Sequence, residues 1–225
     1  MKKDINLILI PAVTRNPVMS LFFDEETRLA HLLATIKSVK EKVPSAYIVV
    51  MEGGTFSEED EQKKINAGAH NIFNYDLVKN GKRLPDPNRT KSYGEMTLFL
   101  EYFNSLMFTE IKDNILSISK AGGRIILNEK FVFDSSEKCV MNFSHSVWSG
   151  LGACSGRYWK IPISKFSHFI KQLAILADEY VKTPAIIDIE HGFYQFNVVP
   201  LEGLEANVLS GVSLFVSSHG NWEES

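Results

Sequence analysis

Two apolar runs, Ile5-Asn-Leu-Ile-Leu-Ile10 and Ala46-Tyr-Ile-Val-Val-Met51, decide the fold. Each is a nearly unbroken run of branched and aliphatic residues of strand length, as expected of a strand buried on both faces. Pro11 stops the first, and Glu52-Gly-Gly54 closes the second. Between them lies a helical pattern. Asp24 is the expected N-cap, with Glu25 and Glu26 in the first turn, where the helix dipole favours acids. Leu29, Leu32, Leu33, Ile36 and Val39 recur at spacings of three and four, giving one apolar face. Lys37, Lys40 and Lys42 crowd the last turns and Pro44 ends the helix. Strand, helix, strand makes a βαβ unit with a right-handed crossover.

Working outward, a second centre is Ile118-Ser-Lys-Ala-Gly-Gly-Arg-Ile-Ile-Leu-Asn128. Ile115-Leu-Ser-Ile118 leads into it as a strand, which ends in a loop whose glycines allow close approach of backbone. Lys120 and Arg124 flank those glycines, and two fixed cations suit a polyanion such as a diphosphate. The plain alternative is a turn with two solvated cations.

The ends of the early strands supply further candidates. Ligands in open α/β sheets bind beyond the carboxyl ends of the strands. Pro11, Val13, Thr14 and Arg15 follow strand one, and Glu52 and Gly53 follow strand two. Glu52 is expected to hold a ribose or base donor, or else to cap the next helix. That helix, 57–67, opens with Ser57 and three acids and closes at Gly68. Asn71-Ile-Phe-Asn-Tyr75 reads as a short strand, and 76–90 as a long loop. Lys91-Ser-Tyr-Gly-Glu95 reads as a helix start, with Ser92 and Glu95 as a capping box. Lys91 and Gly94 would then sit at a helix N-terminus suited to an anion.

In the second half, 129–134 reads as a strand or turn. Strands at 140–143 and 156–161 flank a loop containing His145 and Trp148, the latter favoured as core over a sugar-stacking ring. A helix at 163–180 takes Ser164 as its cap. Thr183-Pro184 marks another helix, which carries Asp188-Ile-Glu-His191, with Asp188 and His191 on one face. Residues 207–217 alternate like an edge strand, and 220–225 read as a polar tail.

The 225 residues have 44% hydrophobic and 23% charged residues, ordinary for one globular domain with an ample core. A net charge of -3 gives no basic footprint for nucleic acid. No apolar run is long enough for a transmembrane helix, and the N-terminus reads as a strand, not a signal peptide. Cys139 and Cys154 lack metal-site spacing, so a reduced, cytoplasmic setting is expected. There is no Gly-x-Ser-x-Gly element, which disfavours a hydrolase.

Taken together, the βαβ unit closed by an acid, Lys91-Ser-Tyr-Gly-Glu95, Ile118-Ser-Lys-Ala-Gly-Gly-Arg124 and Ile189-Glu-His191 resemble small GT-A-type glycosyltransferases. These are the enzymes of large DNA viruses, phages and bacterial surface-polysaccharide loci, where a Lys-x-Ser-Gly-Arg-Tyr element holds the central place. The resemblance covers about residues 5–195. It implies a GT-A-like, Rossmann-like α/β domain with a mainly parallel central sheet flanked by helices. Residues 1–128 would form the nucleotide-binding half and 129–225 the acceptor side. It implies a nucleotide-sugar donor held by Pro11, Val13, Thr14, Arg15, Glu52, Gly53, Lys91, Gly94, Lys120, Gly123 and Arg124, and a glycan or other hydroxyl acceptor. Asp188, Glu190 and His191 are the candidate catalytic groups.

The family's Asp-x-Asp metal motif is not visible after the central strand. Asp86-Pro-Asn88 and Asp188-Ile-Glu190 match it weakly. A leaving diphosphate can be neutralised by fixed cations instead of a divalent ion. No cofactor is therefore expected to be required, with Mn2+ or Mg2+ as the alternative. The rival functions are a sugar nucleotidyltransferase, disfavoured by the glycine-free loop after strand one, and a non-catalytic carbohydrate-binding relative.

Overall fold

β1 (Ile5–Ala12) and β2 (Ala46–Glu52) run parallel, with Ile8 opposite Ile48 and Ala12 opposite Glu52. This computed structural model describes residues 4–15, 24–145, 152–183, 188–200, 212–215 and 222–224. Between the two strands runs α1 (Glu25–Lys42), capped by Asp24, which accepts the Thr27 N–H at 2.7 Å. α2 (Glu58–Ala67) follows, closed at its N-terminus by a reciprocal Ser57–Asp60 capping box and at its C-terminus by Gly68 at φ 122°. β3 (Asn71–Asn74) then pairs in parallel with β2.

The stretch 76–90 is not one long loop. It contains α3 (Leu77–Asn80), capped by Asp76, and α4 (Pro87–Phe103) begins within it. Asp86 accepts the first helical N–H, from Thr90, and Pro87 stands at the first helical position. Ser92 and Glu95 are therefore helix interior, not a capping box, and Lys91 precedes no helix N-terminus. α5 (Leu106–Ile111) leads into β4 (Ile115–Ala121), which lies parallel to β1 on the side away from β2.

After the glycine loop come the short β5 (Ile125–Leu127), a turn at 129–130, β6 (Val140–His145) and β7 (Gly152–Pro162). β7 is antiparallel to β4 and to β6. The main sheet is thus six-stranded in the order β3-β2-β1-β4-β7-β6, with β3, β2, β1 and β4 mutually parallel. α6 (Phe166–Lys182) starts one turn later than expected, behind a 3-10 turn, and Ser164 is not its cap. Thr183 ends α6 and does not open the next helix; α7 (Ile189–Gln195) is capped by Asp188. β8 (Val212–Phe215) and β9 (Trp222–Glu224) join β5 in a separate antiparallel sheet, so the polar tail contains a strand. Trp148 and Pro184 lie outside the described residues, as does the side chain of His145.

The pleat sorts the core into two layers. Leu7, Leu9, Val49, Met51 and Ile118 face α4 and α6, packing on Met96, Phe99, Phe169 and Trp159. Ile8, Ile10, Ile48, Val50 and Ala121 face α1, packing on Leu32, Ile36 and Val39. Both faces are covered, which is why the strands read as continuous apolar runs. A mainly parallel sheet with helices on both faces is what the sequence implies.

Candidate functional site at the carboxyl ends of β1, β2 and β4

Successive strands leave β1 in opposite directions, to β2 and β3 on one side and to β4 on the other. Such a reversal opens a crevice beyond the carboxyl ends of the two strands, here β1 and β4. The Gly122-Gly123-Arg124 loop folds into it. Gly122 N–H donates to Arg157 O at 2.7 Å, and a Cβ on Gly123 would lie 2.9 Å from the Pro11 carbonyl oxygen. Glycine is needed there because backbone meets backbone.

On the α1 side of this crevice stand three cations or potential cations. The half-buried Arg28 guanidinium donates from Nη1 to Val13 O at 2.8 Å, while its Nε is buried with no hydrogen-bond partner. Arg124 is held below its usual pKa by burial and then by the charge of Arg28. His31, one turn further along α1, is lowered by burial and then by Arg124. Two guanidiniums and an imidazole thus crowd one partly desolvated place. The carboxylates of Glu25, Glu52 and Asp24 act on Arg28 in the opposite sense, and Asp24 does so on His31. Sequence reasoning missed Arg28 and His31. They sit on a helix among ordinary surface residues, and only the fold turns them toward the crevice.

Glu52 does not face a ligand. Its side chain is fully buried, and its carboxylate accepts Thr14 N–H at 2.7 Å, Gly54 N–H at 3.2 Å, the Thr14 hydroxyl and the Lys64 ammonium at 2.7 Å. A carboxylate with that many donors has no capacity left for a ribose. Its role is to pin the β1–α1 loop, with Thr14 drawn inward, so the expected nucleoside contact is replaced by a structural one. Arg15 is likewise drawn away from the crevice. Its Nε donates to Asp60 at 2.8 Å and its Nη1 to Glu25 at 3.3 Å. Gly53 and Gly94 both pack on Leu77, at 2.6 and 3.1 Å from where a Cβ would stand. Those two glycines serve close packing of α3 and α4. Lys91 is exposed on α4.

Lys120 and Arg124 do not act together. Lys120 shares the pleat of Ile118 and turns to the α4 face, where its buried ammonium pairs with Glu95. Arg124 lies on the α1 face beside Arg28. Across the α4 face stands the start of α7. Asp188 caps it, accepting His191 N–H at 2.8 Å, and His191 Nδ1 donates to the same Oδ1 at 2.6 Å. Glu190, in the first turn, has its pKa raised by burial; Lys120 opposes the shift, and Glu95 and Asp188 add to it. Of the three candidate catalytic residues, Glu190 therefore feels the charges of one candidate cation, Lys120, and of a carboxylate not anticipated in that place, Glu95, while Asp188 and His191 pair with each other.

Among the described residues no group of three or more His, Cys, Asp or Glu is disposed to hold a metal ion. Asp86 lies at the start of α4, well apart in sequence and element from Asp188 and Glu190 on α7. No helix among the described residues is long and apolar enough to cross a membrane. No protein-family model matches the chain, and no curated protein matches it.

Proposed function

We propose that the protein is a GT-A-type glycosyltransferase that moves a sugar from a nucleotide-sugar donor to a hydroxyl of a glycan or similar acceptor. The observation that carries this reading is the pair of half-buried guanidiniums, Arg28 and Arg124, at the crevice between β1 and β4. The order β3-β2-β1-β4 is the half-sheet on which nucleotides bind at that crevice. The donor's diphosphate lies against Arg28 and Arg124. Its sugar reaches across the end of β4 to the α4 and α7 face, where Lys120, Glu95 and Glu190 stand.

The reaction is a single displacement. Glu190 takes the proton of the acceptor hydroxyl as its oxygen attacks the anomeric carbon. The bond from that carbon to the diphosphate oxygen breaks, and the electron pair leaves with the diphosphate. Arg28 and Arg124 neutralise that growing charge, the Arg fork matching phosphate oxygens in pairs. No metal ion is required in this scheme. The test is a thermal-shift panel of UDP, GDP, dTDP and CMP and their sugar esters, in EDTA and in manganese. A ligand that binds only the folded state raises the midpoint. A diphosphate that stabilises in EDTA supports the reading; stabilisation by none of them removes it.

A further inference from the structure

We propose that Thr35 and Ser38 are positioning residues for the anion site: their hydroxyls fix β5, and with it Arg124, against α1, the helix that carries Arg28. The inference rests on the transferase reading only for the ligand that Arg28 and Arg124 meet; the arrangement itself is independent of it.

Arg124 stands where the chain changes sheets. Ala121 ends β4 in the six-stranded sheet, and Ile125 opens β5 in the three-stranded one. The residues between them form a turn, with Ile125 N–H donating to Gly122 O at 3.2 Å, and Gly122 N–H ties that turn to Arg157 O. Where Arg124 stands is therefore set by what holds β5. One edge of β5 pairs with β8, Ile126 lying opposite Ser213. Among the described residues no strand lies along the other edge. There α1 supplies side chains instead. Thr35 Oγ1 donates to Ile125 O at 2.7 Å, and Ser38 Oγ accepts Leu127 N–H at 3.1 Å. A carbonyl and the N–H two residues on leave an extended chain on the same side. The two hydroxyls thus stand where a neighbouring strand would.

Both hydroxyls are buried, Thr35 at 0% exposure and Ser38 at 8%. The Ser38 hydroxyl also donates to Thr35 O at 2.9 Å, so it both gives and takes a hydrogen bond. Thr35 has an acceptor in its own helix, His31 O at 3.1 Å. A threonine inside a helix commonly settles for that carbonyl four residues back. Here the shorter bond crosses to β5. Thr35 lies two turns beyond Arg28, on the same face of α1. The loop itself touches α1, since a Cβ on Gly123 would stand 3.8 Å from Leu32 Cδ1. One helix thus carries the first guanidinium near its start and the anchor of the second further along. An anion that engages both cations gains most when their spacing is fixed before it arrives.

The experiment begins with the ligand-free protein. 15N relaxation reads the order of the Arg124 backbone N–H, with Arg124→Ala confirming the resonance. Thr35→Val keeps the shape and removes the donor, Ser38→Ala removes the acceptor, and Thr35→Ser restores a hydroxyl. In Thr35→Val and in Ser38→Ala the Arg124 order parameter should fall from the rigid range, about 0.85, to below about 0.6, with β1 unchanged. Thr35→Ser should stay near the parent. Titration of UDP and GDP in EDTA should show Kd weakened about 10-fold in either loosened variant. That loss acts through Arg124, so the same substitution in an Arg124→Ala background should cost nothing further. An Arg124 order parameter that stays at the parent value in both variants overturns the proposal, as does a loss of affinity that is equally large without Arg124. An Arg124 that loosens as stated, in a protein that binds neither nucleotide, would uphold the anchor and overturn the function proposed above.

Discussion

Lys64→Met is the substitution whose cost follows most directly from the structure. Lys64 and Glu52 have side chains at 0% exposure, 2.7 Å apart, and the ammonium also lies 4.4 Å above the Phe56 ring. Methionine fills the space but leaves the Glu52 carboxylate buried with only Thr14 and Gly54 as donors. Stranding one charge of a buried pair costs about 3–5 kcal/mol. The charge of Arg28, which feels Glu52, softens this, so the low end applies. At 2–4 °C per kcal/mol for a chain of this size, ~3 kcal/mol lowers the midpoint by roughly 6–12 °C. The assay is thermal and urea unfolding of Lys64→Met, Glu52→Gln and the double variant. The double variant should recover part of the Lys64→Met loss, because a neutral amide in place of the carboxylate removes the stranded charge while still accepting from Thr14. A loss below ~1 kcal/mol for Lys64→Met would refute the reasoning, since that is the cost of an exposed pair. So would a double variant that is simply the sum of the two.

Two further outcomes are expected. Gly54→Ala places a Cβ 2.1 Å from the Arg15 carbonyl oxygen, so the β1–α1 loop must shift; stability should fall by about 1–3 kcal/mol, read by urea unfolding, and diphosphate binding should weaken with it. His31, with its pKa lowered by burial and by Arg124, is neutral when folded over a range where the unfolded chain is protonated. Its contribution to stability is therefore present above its unfolded pKa of about 6.5 and is lost as pH falls toward the lower folded value. Unfolding from pH 7.5 to pH 5 should show this slope, reduced in His31→Gln. A bound diphosphate favours the imidazolium, so its affinity should rise over the same fall in pH.

The parallel core of the sheet was legible because burial on both faces leaves its mark as the nearly unbroken apolar runs of β1 and β2, and as Ile115, Leu116 and Ile118 at the start of β4. The start of α4 was missed for a local reason. Asp86-Pro87 is a sound helix start, but Ser92 and Glu95 imitate a capping box five residues later, and the more familiar pattern drew the boundary. β9, Trp222-Glu-Glu224, is too short and polar to signal a strand; its pairing with β8 is tertiary. The site was only half legible. Glu52 stands where an acid at a strand end holds a ribose, yet its fate depends on Lys64, a lysine in a polar helix with nothing in the sequence to mark it as buried. Lys120 and Arg124 look like one cationic loop in sequence, but strand alternation places Lys120 on the α4 face and the glycine turn carries Arg124 to the α1 face. Nearness along a chain does not survive a strand end.

The central claim, that fixed cations at the crevice hold a diphosphate, is tested most directly by titration calorimetry of UDP and GDP in EDTA against the parent protein and Arg124→Ala. A charge-assisted hydrogen bond to a phosphate oxygen is worth roughly 1.5–3 kcal/mol. The account predicts measurable binding of at least one of the two without metal, and a roughly 10- to 100-fold weaker Kd in Arg124→Ala with the fold unchanged. Binding that appears only when manganese is added, and that Arg124→Ala leaves untouched, would contradict it.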